Sequence, residues 1–209
     1  MLTPEVLLSG YARGIFPMAE SRDAPVLHWV DPRSRGVVAL HKFHISRSLA
    51  REIRRGDYTI QTNSAFSDVV RLCAAREDTW INGQLVQLYD GLHAMGHAHS
   101  LEVWQDGALT GGIFGVTLGA AYFGESMFST RSNTSKIALA YLVDRLVAGG
   151  FTLFDTQFLT PHLASPGAVE IPRSDYRARL AEALERYADF NGPATPLPHS
   201  LLQRKTQTS

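Results

Sequence analysis

The stretch SNTSKIALAYLVDRLVAGGFTLFDTQF, residues 132–158, restricts the fold of this chain more than any other segment. Ser132, Asn133 and Thr134 are all capping residue types, and Gly149-Gly150 supplies a stop, so the apolar run between them reads as a helix. The residues after the two glycines read as a strand. At a period of two, Phe151, Leu153, Asp155 and Gln157 share one side, and Thr152, Phe154, Thr156 and Phe158 share the other. Both sides begin apolar, the pattern of a strand covered on both faces. A carboxylate and an amide at the end of such a strand are costly unless paired, so they either satisfy a neighbour or handle a substrate.

Three strands precede that helix. AHSLEVW, ALTGGIFGVTL and AYFGESMFS alternate, and they are separated by the turns QDG and LGAA. From about residue 97 the order is therefore strand, strand, strand, helix, strand. The amphipathic helix RSDYRARLAEALERYADF comes next. An antiparallel meander that feeds a helical crossover predicts an α+β fold with a mixed, largely antiparallel sheet flanked by helices.

Upstream, Thr3, Pro4 and Glu5 open a helix over 3–13 that Gly14 ends. HISRSLAREIRRG is a second helix, with Ile45, Leu49 and Ile53 as its buried stripe and Gly56 as its stop. YTIQTN reads as a strand, and two further helices span about 64–76 and 83–95. The division predicted is a small N-terminal domain over 1–33, a main domain over 34–191 and a mobile tail over 192–209.

At 209 residues the chain can bury a substantial core without staples. A formal net charge of zero means that nucleic-acid affinity has to come from local clustering. One cysteine, Cys73, leaves no internal disulfide and no multi-cysteine metal site. No apolar run reaches membrane-spanning length, and the N-terminus lacks a signal layout. A cytoplasmic monomer without membrane contact is the expectation.

Four clusters carry possible chemistry. Arg47, Arg51, Arg54 and Arg55 share one helical face and suit phosphate, unless the face is simply solvated and answered by Glu52 and Asp57. Glu125, in the apolar strand FGESMFS, is either functional or half of a structural salt bridge. Trp80, in the polar loop REDTWING, is a stacking candidate. His97 and His99 share a strand face, but no third ligand is spaced for a metal, so no metal and no cofactor are expected. Nucleotide-binding and hydrolase signatures are missing.

GIFPM (14–18), HISRS (44–48), TWI (79–81), GHAHSLEVW (96–104), GGIFG (111–115), FGESMFS (123–129), SK-AL (135–139), DTQ (155–157) and EIPRSDY (170–176) together resemble the leucyl/phenylalanyl-tRNA–protein transferase family. The resemblance implies transfer of Leu, Phe or Met from aminoacyl-tRNA to proteins that begin with Arg or Lys, in the N-degron pathway. It implies a small N-terminal domain and a domain like the N-acetyltransferase (GNAT) fold. Asp155 and Gln157 match the family's catalytic pair, and Glu125 its active-site glutamate. Trp80 matches an aromatic that holds the terminal adenosine, with Met18 where a second aromatic stands in other members. Ile113, Leu142 and Leu146 fall where the amino-acid pocket is lined, and the arginine face matches the grip on the acceptor stem. Two mechanistic readings of Asp155 stand open: it polarises Gln157, or it binds the cationic acceptor residue. Two other functions are weighed alongside. An acyl-CoA-dependent N-acetyltransferase would want a glycine-rich turn where TRSNTSK stands. A non-catalytic tRNA-binding module would leave Glu125, Asp155 and Gln157 without a role.

Overall fold

The structure, a computed structural model, describes residues 2–160 and 167–206. α1 (Pro4–Ala12) starts at Thr3, whose hydroxyl accepts from the Val6 amide. A hairpin of β1 (Phe16–Ala19) and β2 (Leu27–Val30) forms a separate two-stranded sheet. Next come β3 (Ser34–Val38), α2 (Arg47–Arg55), β4 (Thr59–Thr62), α3 (Phe66–Ala74) and α4 (Gly83–Ala94). The meander is β5 (Ala98–Gln105), β6 (Ala108–Leu118) and β7 (Ala121–Ser129). α5 (Thr134–Ala148) crosses to β8 (Leu153–Gln157), and β9 (Ala168–Pro172), α6 (Arg173–Leu184) and α7 (Pro198–Thr206) complete the chain.

The large sheet has the order β4-β5-β6-β7-β8-β3-β9. Its pairs are antiparallel except β7 with β8, the pair that α5 connects. A parallel neighbour requires such a crossover, as the helix-then-strand pattern predicts. Successive strand residues divide between two apolar clusters. Phe123 and Phe114 join α1, α3, α4 and α6 in one, while Tyr122 and Ile113 join α2, α5 and α7 in the other. The sheet is thus covered on both faces, which explains the apolar start of both sides of β8.

Two irregularities shape what lies at the sheet centre. Between β6 and β7 the register steps from Phe114↔Ser126 to Gly115↔Gly124, so Glu125 is the extra residue of a bulge. Between β7 and β8 the register runs from Ala121↔Leu153 to Phe123↔Asp155, and past those residues the strands no longer pair. Glu125 and Gln157 both lie just beyond that point.

Sequence pattern leaves out the strands β1, β2, β3 and β9. Each has four or five residues. β3 is held by long-range pairing alone, between β8 and β9. Its Gly36 has no room for a side chain, because a Cβ there would lie 2.6 Å from the Phe158 carbonyl carbon. The C-terminal helix ends at Leu184, short of Phe190.

The tail from Gly192, expected to be mobile, carries α7. Leu201 is fully buried in the cluster with α2 and α5, and Arg204 lies 3.0 Å from the buried Asp144. The Pro- and Thr-rich composition hides an apolar anchor, Leu201 with Leu202 beside it. Leu201→Ala should therefore lower the unfolding free energy by about 2–5 kcal/mol in urea titrations, whereas a tail loose in solution would give no change.

Candidate active site

Where β7 and β8 part, a cavity of about 770 Å³ opens. Trp80, Ile113, Glu125, Met127, Gln157 and Phe158 are among its walls. The bulge turns Glu125 into this space.

Glu125 is 7% exposed and holds three donors. The Tyr11 hydroxyl donates to Oε1 at 2.8 Å, the Tyr89 hydroxyl to Oε2 at 2.7 Å and the Gln157 side-chain amide to Oε1 at 3.0 Å. Burial pushes the carboxyl up to about 7, and the three hydrogen bonds only partly oppose it. Burial, followed by the neighbouring carboxylate, keeps Tyr11 and Tyr89 protonated far above their ordinary range, so both remain donors.

Asp155 lies behind the cavity wall. It is fully buried and is not part of the cavity wall. Arg35 grips it with two bonds, Nε to Oδ1 at 2.9 Å and Nη2 to Oδ2 at 2.7 Å. The Tyr176 hydroxyl donates to Oδ2 at 2.8 Å, and the Gln157 backbone amide donates to Oδ1 at 2.7 Å. Asp155 and Gln157 thus meet different partners. Gln157 has φ 63, in the left-handed region, so the strand breaks there and its side chain swings to Glu125. Asp155 touches Gln157 through the backbone, and with both oxygens taken it has no open side for an acceptor cation. Gln157 is clamped by Asp155 behind and Glu125 beside, and its amide oxygen has no hydrogen bond among the described residues.

Arg35 is 1% exposed. It also donates to the Gly14 carbonyl at 2.9 Å, and its guanidinium lies over the Phe16 and Tyr176 rings at 4.5 and 4.3 Å. Burial works against its charge, and the bonds to Asp155 more than restore it.

The other expected residues divide. Trp80 and Ile113 line the cavity. Met18 is half-buried and packs against the same cluster as Trp80, but it is not among the lining residues. Leu142 and Leu146, expected in the pocket, are fully buried in the α5 cluster away from its wall, because α5 meets the cavity with its first turn. Arg47, Arg51 and Arg54 are exposed and have no ion-pair partner among the described residues. Arg55 lies 3.8 Å from Glu52 and 3.6 Å from Asp57. His99 stacks on Phe190 and meets Asn63, and burial lowers its pKa to about 4. His97 meets the Thr117 carbonyl.

Arg35, Tyr11, Tyr89 and Tyr176 escape sequence reasoning. Tyr176 lies inside the EIPRSDY motif, and Arg35 stands alone before the apolar run GVVAL. Both signals were available. Tyr11 and Tyr89 carry no such mark, because each fits an apolar helix face.

The family model for the leucyl/phenylalanyl-tRNA protein transferase matches residues 37–181, and the model for the N-terminal domain of that protein matches residues 1–33. The chain belongs to the leucyl/phenylalanyl-tRNA protein transferase family. Within this transferase family it is 65% identical over 209 residues to a curated relative from Cereibacter sphaeroides, covering 100% of this chain and 98% of the relative. A relative from Ruegeria pomeroyi is 59% identical over 208 residues, covering 100% of this chain and 99% of its own. Among solved structures, the C-terminal domain of a putative lysylphosphatidylglycerol synthetase from Agrobacterium fabrum has a TM-score of 0.43 at 12% identity. It covers 86% of this chain and 62% of that one, and a likeness so distant says nothing about the site.

The native state keeps a proton on Glu125 where the unfolded chain, near its ordinary value of 4.5, has lost it. Stability from this group is therefore full below about pH 4.5 and falls as pH rises through about 7. Glu125→Gln should remove that fall. Between those pH values, urea unfolding should show the wild type losing about 3 kcal/mol relative to the variant. Arg35→Met, which strands the buried Asp155 charge, should cost about 3–5 kcal/mol in the same titration at neutral pH.

Proposed function

We propose that this chain moves leucine, phenylalanine or methionine from aminoacyl-tRNA to the N-terminus of proteins that begin with Arg or Lys. Family membership over nearly the whole chain supports the reaction class. The observation that carries the site is Gln157 at the cavity wall, clamped by Asp155 and Glu125, with an amide oxygen unpaired among the described residues.

The aminoacyl ester is already activated, and the acceptor α-amine has a pKa of about 7.7–8.0, so a useful fraction is neutral near pH 7. What the site has to provide is position. The Gln157 oxygen accepts an N–H of the amine and holds its lone pair about 3–3.5 Å from the ester carbonyl. The new amide bond forms as the ester C–O bond breaks, and the 3′ oxygen of the ribose leaves with a proton. Glu125 titrates near the working pH, which suits it to take the proton that the amine sheds and pass it to that leaving oxygen. Asp155 is a positioning residue in this reading, acting through the backbone of Gln157. Trp80 stacks the terminal adenine, with Met18 behind that wall. Ile113 touches the amino-acid side chain directly, and Leu142 and Leu146 back the sheet from the core. An apolar wall separates such side chains weakly, about 1–3 kcal/mol per methylene, so relaxed use of Leu, Met and Phe is expected.

Arg47, Arg51, Arg54 and Arg55 grip the acceptor stem. Replacing Arg51 and Arg54 by Ala should raise KM for charged tRNA and leave kcat near the wild-type value. It should also lower the slope of log KM against log salt by about 2.

The deciding assay mixes Leu-tRNA with a peptide that starts in Arg. Ribonuclease-sensitive leucine transfer is expected. Acetyl-CoA turnover without leucine transfer would indicate the acetyltransferase alternative, and tRNA binding without either would indicate a binding module.

A further inference from the structure

Ser135, in the first turn of α5, lines the cavity, and three observations on this cavity bear on an anion. Asn133, at φ 65, gives no side-chain cap, and the Ser135 and Lys136 amides have no acceptor among the described residues. Such orphan donors, at the positive end of a fifteen-residue helix, favour an anion. The Ser135 side chain supplies the second observation. It is 7% exposed, lines the cavity and has no hydrogen-bond partner among the described residues. Two other lining hydroxyls are committed: Ser129 donates to the Arg131 carbonyl at 2.6 Å and Thr130 to the Thr110 carbonyl at 3.2 Å. A hydroxyl that opens onto the cavity and is unpaired among the described residues is available to a ligand. Thirdly, Arg76 and Glu125 are the ionisable residues among the described lining, and Arg76 has no carboxylate partner there. It donates to the Met127 carbonyl, while its own carbonyl receives Arg22.

The helix end is also fixed in place. Thr134 Oγ1 donates to the Thr110 carbonyl at 2.8 Å, and a Cβ on Gly111 would lie 2.6 Å from the Thr134 side chain. Such a packed turn can receive a charge without reorganising.

We infer that the N-terminus of α5, Ser135 and Arg76 form an anion subsite that receives the phosphodiester on the 5′ side of the terminal adenosine. The inference rests on the proposed use of aminoacyl-tRNA. It assigns a further part of a cavity whose walls otherwise hold the adenine and the ester.

The test compares two donors: leucyl-adenosine, which lacks that phosphate, and a leucylated CCA trinucleotide, which has it. The wild type should favour the trinucleotide by tenfold or more in kcat/KM, in line with a charge-assisted phosphate contact. Ser135→Ala should shrink that ratio about threefold, and Ser135→Asp, which places a negative charge in the subsite, should abolish it. Equilibrium binding of an amide-linked trinucleotide should weaken in the same order, and thermal melting identifies a variant that has failed to fold. Millimolar inorganic phosphate should inhibit with the trinucleotide and not with leucyl-adenosine. An unchanged ratio in both variants overturns the inference, as does phosphate that binds at micromolar concentration while the trinucleotide gains nothing. If the wild type transfers leucine from neither donor nor from charged tRNA, the proposed function fails instead.

Discussion

A single ion pair, Arg35 with Asp155, joins most of what this structure needs to hold together. Arg35 comes from β3 and Asp155 from β8, and the pair is closed by two bonds of 2.9 and 2.7 Å. The same guanidinium bonds the carbonyl of Gly14 behind α1 and lies between the rings of Phe16 and Tyr176. The N-terminal hairpin, the central sheet and α6 thus meet on one cation. A buried pair tolerates its loss of water only when the geometry is good and the remaining donors and acceptors are matched. Here four donors reach the Asp155 carboxylate: two from Arg35, one from Tyr176 and one from the Gln157 amide.

That last donor connects stability to chemistry. By accepting the Gln157 amide, Asp155 holds a left-handed residue that ends β8 and redirects its side chain. Such a backbone is uncommon for a residue other than glycine and persists where its surroundings fix it. Glu125, aimed by its bulge, holds the other end of Gln157. Tyr11 and Tyr89 bring α1 and α4 to the same carboxylate. The amide that faces the cavity is therefore set from both sides by buried groups, and the surfaces that make the fold also make the site.

The crossover from α5 to β8 was legible in the sequence because a long apolar run between clear caps allows little else. Glu125, Gln157 and Trp80 stood out as polar or aromatic residues in unsuitable local company, and the cavity brings them together. β3 and β9 were not legible. Their pairing partners are remote in sequence. The same remoteness hid Arg35, whose partner lies 120 residues away. Period-two reasoning assumes an extended backbone and so could not show the positive φ at Gln157, nor that Asp155 meets Gln157 through its backbone amide. Family resemblance gave Leu142 and Leu146 a place in the pocket, but the packing of α5 against the sheet puts both in the core.

The central claim is that Asp155 acts on the reaction only through Gln157. A double-mutant cycle on leucine transfer tests it most directly, with kcat measured for Asp155→Asn, Gln157→Ala and the pair. The account predicts that each single change lowers kcat, and that Asp155→Asn costs nothing more once Gln157 is Ala. Penalties that simply multiply would contradict it, and would mean that Asp155 meets the substrate itself.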